Sequence, residues 1–340
     1  MLSELLAIDP EILQLNCKGN RIMISNRLQG RIFAAVGDRL IHRLVPELAK
    51  NPDPENFNNL GGNSLWIGPE GGNFAFNYPP QGDWYVQKGI NCVPTHTVYA
   101  GPDALEVAKT IELVNRKGKR VRLKMERRVE PLDPAELPDA KYQLAATGYR
   151  SVDRWTVLDR LTPEDALLCA WSLEQLPGAE GIIGFGRCGK VAAGSLNDDF
   201  YGSAAERTKY TAHTFKFRLG GSKRLQIGVK AAYEPKVIGS FDPARGVLAL
   251  RRTELPATGT YINIADNEQK TGPFGAADAY SIFNGAQELD FHELETIAPM
   301  QLTADGCLAP SELVSKSCFV CSDRPEKLLE FLKIEYGITL

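Results

Sequence analysis

Apolar and polar positions alternate with a period of two along most of this chain. Val121, Leu123, Met125 and Val129 alternate with Arg120, Arg122, Lys124, Glu126 and Arg128, which predicts a strand with one buried and one wetted face. Leu105, Val107, Ile111 and Leu113 predict another, joined to the first by the polar turn 115–119. Phe215, Phe217 and Leu219 are answered across Gly220-Gly221-Ser222-Lys223 by Leu225, Ile227 and Val229. Further strands are predicted at 21–24, 31–33, 40–44, 247–252, 261–265 and 289–297. Helical spacing is convincing only in the last segment, RPEKLLEFLKIEYGI, within 323–340. Leu5, Leu6, Ile12, Leu13 and Leu15 fit a short amphipathic helix over residues 3–15, an N-terminal helical arm within 1–20. From Pro163 to Pro177 the pattern fits either a helix or a buried strand, LLCAWSLEQL, and the Gly-rich stretch 178–205 reads as loop. Many short strands divided by turn clusters indicate an all-β antiparallel sandwich or barrel. With no internal repeat and no flexible linker, 1–340 reads as a single domain.

One stretch departs from the pattern. Leu60–Trp84, LGGNSLWIGPEGGNFAFNYPPQGDW, holds six glycines, three prolines, five aromatics and a single glutamate. Core strands carry little Gly or Pro, because Gly has no side chain to pack and Pro cannot donate to the ladder. Trp66, Phe74, Phe76, Tyr78 and Trp84 offer rigid apolar faces beside Glu70. Such a set suits a sugar ring, with its apolar face and rim of hydroxyls. It equally suits an irregular, aromatic core segment.

Composition narrows the partners. The 340 residues include 39 basic and 42 acidic ones, for a net charge of −3, without a basic tail. No nucleic-acid partner is expected. No run approaches the ~20 apolar residues that span a bilayer, so no membrane partner is expected either. The first residues, MLSELLAIDPEILQL, lack the basic n-region of a secretory signal, which points to a cytoplasmic protein. Seven cysteines at irregular spacing argue against a disulfide framework.

Few constellations carry chemistry. In LDFHELETIAP, strand alternation places Phe291, Glu293, Glu295 and Ile297 on one face, and His292, Leu294 and Thr296 on the other. The two glutamates start roughly 7 Å apart. Partly buried, such a pair splits into an acid and a base; exposed, it is two independent surface carboxylates. Gly184-x-Gly186-x-x-Gly189 has dinucleotide-fingerprint spacing, but turn formers follow it where a helix is needed, so a Gly-rich loop is expected. Cys318-x-x-Cys321 is half a zinc site without a second pair, and no metal or other cofactor is expected. His42, His96, His213 and His292 show no ligand spacing.

GGNSLWIGPEGGNFAF, followed late in the chain by LDFHELETIAP, resembles the galactose-mutarotase-like (aldose 1-epimerase-like) superfamily. The resemblance implies an antiparallel β-supersandwich with a carbohydrate-facing cleft. Leu294-Glu295-Thr296 is similar to the epimerase strand whose glutamate is the catalytic base, which implies that role for Glu295. A histidine protonates the ring oxygen in those enzymes, from a segment matched here by Leu168–Leu173, which has none. His96 and His213 are the candidates to replace it. In this picture Trp66 and Trp84 stack on a small sugar or sugar derivative, and Glu70, Glu293 and Lys230 hydrogen-bond its hydroxyls or a charged substituent. Sugar mutarotation or epimerisation is the first reaction class. A glycoside hydrolase or lyase with paired glutamates and a non-catalytic sugar-binding protein are the alternatives; carboxyls ~5–5.5 Å apart would suit retention and ~6.5–9.5 Å inversion.

Overall fold

The alternating pattern becomes two stacked antiparallel sheets. The computed structural model describes residues 1–54, 57–76, 86–138, 140–264 and 278–340. In chain order the strands are β1 (Leu13–Cys17), β2 (Asn20–Ser25), β3 (Arg31–Val36), β4 (Arg39–Leu40), β5 (Gly62–Gly68), β6 (His96–Ala100) and β7 (Leu105–Val114). There follow β8 (Arg120–Pro131), β9 (Ala145–Val157), β10 (Cys169–Pro177), β11 (Ile183–Cys188), β12 (Leu196–Asn197), β13 (Thr208–Tyr210) and β14 (Thr214–Arg218). The last are β15 (Leu225–Lys230), β16 (Pro235–Asp242), β17 (Val247–Thr253), β18 (Asp278–Asn284), β19 (Phe291–Ile297) and β20 (Ser311–Cys321). The first sheet runs β1-β2-β3-β5-β10-β19-β18-β15-β12, with β4 on β3; the second runs β13-β14-β11-β16-β17-β20-β9-β8-β7-β6. This is the predicted supersandwich.

The inner faces close on each other. Ile22, Ile24 and Ile32 meet Leu105, Val107 and Phe217 across the gap. Leu65 and Ile67 meet Leu123, Met125 and Trp155. Each such side chain, fully buried, contributes about 1.5–3 kcal/mol. The gap also holds polar groups. Glu174 of β10 accepts from Tyr149 (2.6 Å), Arg251 (2.6 Å), Ser317 (2.5 Å) and Asn63 (3.3 Å), and pairs with His42. Arg127 of β8 reaches from the second sheet to the Asn63 carbonyl of β5 at 3.0 Å and binds Asp153 at 2.7 Å.

Terminal helices cover parts of the outer faces. Leu2–Ile8 lays Leu2, Leu5 and Ile8 on Met23, Phe33 and Leu40 of the first sheet. Pro325–Tyr336 lays Leu328, Phe331 and Leu332 on Phe185, Leu248 and Val320 of the second. The C-terminal helix is as predicted. The N-terminal one stops at Ile8, two residues before Pro10, and Leu13 and Leu15 belong to β1, paired with Ile24 and Ile22. Their apolar spacing serves a strand as well as a helix.

Other expectations change. LLCAWSLEQL supplies β10, so the strand alternative holds there. Gly184 and Gly186 lie inside β11 rather than in a loop. A Cβ on Gly186 would lie 2.4 Å from the Phe215 ring, so this glycine makes room for packing rather than for a phosphate. Residues 261–264 form no strand, and Ala265 lies outside the described residues. Cys318 and Cys321 are free, buried thiols on opposite faces of β20, which keeps them from converging on one metal.

Candidate active site

No helix covers the middle of the first sheet's outer face among the described residues, and a cleft of ≈ 320 Å³ opens there. Its floor is set by register. In β10 paired with β19, Gln175 stands opposite Glu293 and Leu173 opposite Glu295. In β10 paired with β5, Trp171 stands opposite Trp66 and Leu173 opposite Ser64. β18 brings Phe283 opposite Glu293, and Gln226 of β15 lies opposite Phe283. All these side chains line the cleft, because alternate residues of each strand point outward. The opposite parity goes inward: His292 bonds Ser240 at 2.8 Å, and Thr296 accepts from Arg251 at 3.0 Å. The two-faced assignment of LDFHELETI is therefore the observed one.

Glu70 arrives from a loop. The chain leaves β5 through a cis Gly68–Pro69 peptide, and the Glu70 backbone N–H donates to the Ile264 carbonyl at 2.8 Å. Its half-buried carboxyl borders the same cleft and has no hydrogen-bond partner among the described residues. Glu293 accepts from Gln175 at 2.9 Å. Glu295 receives two donors on the same oxygen, Oε2: Trp171 Nε1 at 2.9 Å and Gln226 Nε2 at 3.0 Å.

These bonds do not offset burial. Desolvation pushes Glu293 up to about 7, against the opposing pull of Gln175, Arg31 and Arg43. Desolvation and then the charge of Glu293 push Glu70 up to about 8. Desolvation and Glu293 also raise Glu295 well above the usual carboxylate range, with Trp171 and Ser281 opposing. Near neutral pH the trio therefore holds both protonated and ionised carboxyls.

The cleft gathers four of the residues singled out from the sequence: Trp66, Glu70, Glu293 and Glu295. It does not gather the others that are described. His96 is exposed on β6, at the edge of the second sheet. His213 is exposed beside β14 and borders a separate surface hollow with Arg187 and Lys236. Lys230, at the end of β15, donates to the Gly194 carbonyl at 3.2 Å and does not line the cleft. Trp84 and Tyr78 lie outside the described residues. Phe74 and Phe76 are core, not cleft. Trp66 is a wall: only 7% of it is exposed, and its ring meets Phe57 and Trp171 edge-on at 5.5 and 6.3 Å. The exposed aromatic is Tyr201 at the rim, tilted on Phe283 at 5.7 Å.

Residues missed from the sequence are Arg31, Trp171, Gln175, Tyr201, Arg224 and Gln226. Gln226 and Gln175 left a faint signal, as uncharged polar residues within otherwise apolar strand segments. Arg31 left none. No histidine lines the cleft, and the described residues contain no cluster of three or more His, Cys, Asp or Glu suited to a metal. Among them no helix is long and apolar enough to cross a membrane.

A family of unknown function, DUF6786, matches residues 3–309. The chain belongs to that family. Among solved structures, Slr1438 protein from Synechocystis sp. PCC 6803 is similar at 14% identity and a TM-score of 0.50, over 92% of this chain and 96% of that one. A galactose mutarotase related enzyme from Lactobacillus acidophilus is matched at 8% identity and a TM-score of 0.49, over 92% and 98%. A putative aldose 1-epimerase from Escherichia coli K12 is matched at 12% identity and 0.47, over 91% and 98%. No curated protein matches by sequence. What the chain shares with the Slr1438 protein is the fold, which in this chain is two large antiparallel sheets with few, short helices.

Proposed function

We propose that this cleft binds a sugar of monosaccharide size and interconverts its anomers by carboxyl acid–base chemistry. The observation that carries the proposal is the convergence of Glu70, Glu293 and Glu295 in one aromatic-walled cleft, with the proton affinities of Glu70 and Glu293 raised into the neutral range and that of Glu295 raised well above the usual carboxylate range. Mutarotation needs a proton taken from the anomeric hydroxyl and another given to the ring oxygen. A cleft holding a carboxylate and a carboxylic acid at the same pH supplies both without a histidine.

The order of ionisation suggests roles. Glu293 has the more stabilised charge, with Gln175 donating to it and Arg31 and Arg43 nearby, so it carries the negative charge first. Glu295, raised by burial and then by the charge of Glu293, keeps its proton when Glu293 ionises. In ring opening Glu293 is then the base and Glu295 or Glu70 the acid, which reverses the role that the family resemblance implies for Glu295. Reclosure on the other face returns the protons. The volume of ≈ 320 Å³ stands at the low end for small-ligand sites, which favours a single ring over the oligosaccharide of a hydrolase or lyase.

Saturation-transfer NMR against a panel of monosaccharides and sugar acids, with anomer exchange read in the same spectra, tests this. Bound ligands are expected to show accelerated exchange, reduced about 10²–10⁴-fold in Glu295→Gln and in Glu293→Gln while binding persists. Binding without exchange for every ligand would leave a non-catalytic sugar-binding protein and remove the epimerase proposal.

A further inference from the structure

Arg31 opens β3 and sits on the cleft wall only 6% exposed. Its Nη1 donates to the Gly61 carbonyl at 2.6 Å. Its Nε is buried with no hydrogen-bond partner among the described residues, and there the guanidinium makes no ion pair. The other fully buried arginines differ: Arg127 pairs with Asp153 at 2.7 Å and Arg251 with Glu174 at 2.6 Å. Burial lowers Arg31 only to about 10, so it stays cationic at neutral pH. The nearest opposing charge is that of Glu293, which makes no direct ion pair with Arg31 and also acts on Arg43. A buried cation without a close partner is costly, and folds keep few of them without a reason. Beside it on the cleft wall, Asn59 Oδ1 is a second buried polar atom without a partner among the described residues.

These groups define what is missing. A guanidinium presents parallel N–H donors that match the two oxygens of a planar carboxylate. Asn59 Oδ1 requires a donor, which a ring hydroxyl supplies. A phosphate dianion fits less well, because Glu70 and Glu293 share the cleft and its second guanidinium, that of Arg224, is already paired with Glu288 at 2.8 Å. We propose that the cleft takes a sugar acid, a hexuronate-sized ring whose carboxylate docks on Arg31 and one of whose hydroxyls donates to Asn59. This rests on the sugar-binding proposal above and narrows it. It also moves the charged-substituent role expected of Lys230 to Arg31.

Calorimetric titration of the full chain with matched hexose and hexuronate pairs, the uronate methyl esters and hexose 6-phosphates tests the assignment. One uronate is expected to bind at least about tenfold more tightly than its hexose and its ester, as a charge-assisted pair implies. Arg31→Gln should erase that preference while leaving weak hexose binding, and Arg31→Lys should keep part of it. Equal affinity for acid, ester and hexose overturns the sugar-acid inference and leaves the sugar proposal standing. Preference for a 6-phosphate overturns the carboxylate assignment. Binding of none of these rings removes the sugar proposal, and this inference with it. Should Arg31→Gln fail to fold by circular dichroism, the acid-against-ester comparison on the unaltered protein decides.

Discussion

Strands β10 and β19 carry carboxyl groups on both faces of the first sheet, and the two faces treat them in opposite ways. Inward, Glu174 is surrounded by donors from His42, Asn63, Tyr149, Arg251 and Ser317. Outward, Glu293 and Glu295 receive only uncharged donors, and Glu70 none among the described residues. Burial acts on every one of these groups in the same direction. For Glu174 it is outweighed by the Arg251 charge, then by His42 and Ser317, and the carboxyl is held down to about 2. For the cleft trio nothing outweighs it. A saturated buried carboxylate ties two sheets together, whereas an unsaturated one remains free to exchange a proton with a guest.

The sharpest test of that contrast is stability. Glu174→Ala leaves Arg251 buried without its partner, and a loss of about 3–5 kcal/mol is expected in urea unfolding. A loss below about 1 kcal/mol would mean that the inner network is not holding the sheets. Glu293→Gln should do the reverse above pH 8, where the wild-type carboxyl must ionise in the cleft; a gain of about 2 kcal/mol follows from its raised proton affinity.

The pH dependence separates the faces next. A carboxyl raised in the folded state binds more protons there than in the unfolded chain. The contribution of Glu70 and Glu293 is thus fully present below about pH 4.5 and lost as pH rises through about 7–8. Glu174, lowered in the folded state, contributes fully above about pH 4.5, and that stability is lost as pH falls towards about 2. Unfolding free energy measured from pH 3 to 9 should fall towards both ends, and Glu70→Gln/Glu293→Gln should flatten only the alkaline limb. An alkaline limb unchanged in that double variant would refute the assignment. The smallest effect expected is that of Trp171→Phe, which removes the indole donor to Glu295. It should move the pH profile of anomer exchange upward by about one pH unit or less, about 1 kcal/mol for one hydrogen bond.

Much of the architecture was legible from local pattern. β7, β8, β14 and β15 follow directly from residues that alternate in polarity, because a strand sorts its own side chains. The same logic put Glu293 and Glu295 on one face of β19 before any partner strand was known. It failed where one spacing serves two structures, as at Leu13 and Leu15, and where glycine packs rather than turns, as at Gly186. The aromatic stretch after Leu60 was over-read: Phe74 and Phe76 fill the core, and only Ser64, Trp66 and Glu70 of its described residues reach the cleft. His96 and His213 were candidates because the segment Leu168–Leu173 carries no histidine, and both lie away from Glu295.

Strand identity, the outward direction of the paired glutamates and the likeness to a supersandwich were thus determined by the sequence, since each depends on neighbours within a few residues. Which strands adjoin was decided by the tertiary structure alone. Sheet order sets Trp66, Trp171 and Glu295 side by side from segments about a hundred residues apart, and brings Arg31 to the same wall. The raised proton affinity of the trio arises there too, because desolvation depends on what the whole molecule packs around a group and not on the residues next to it in the chain.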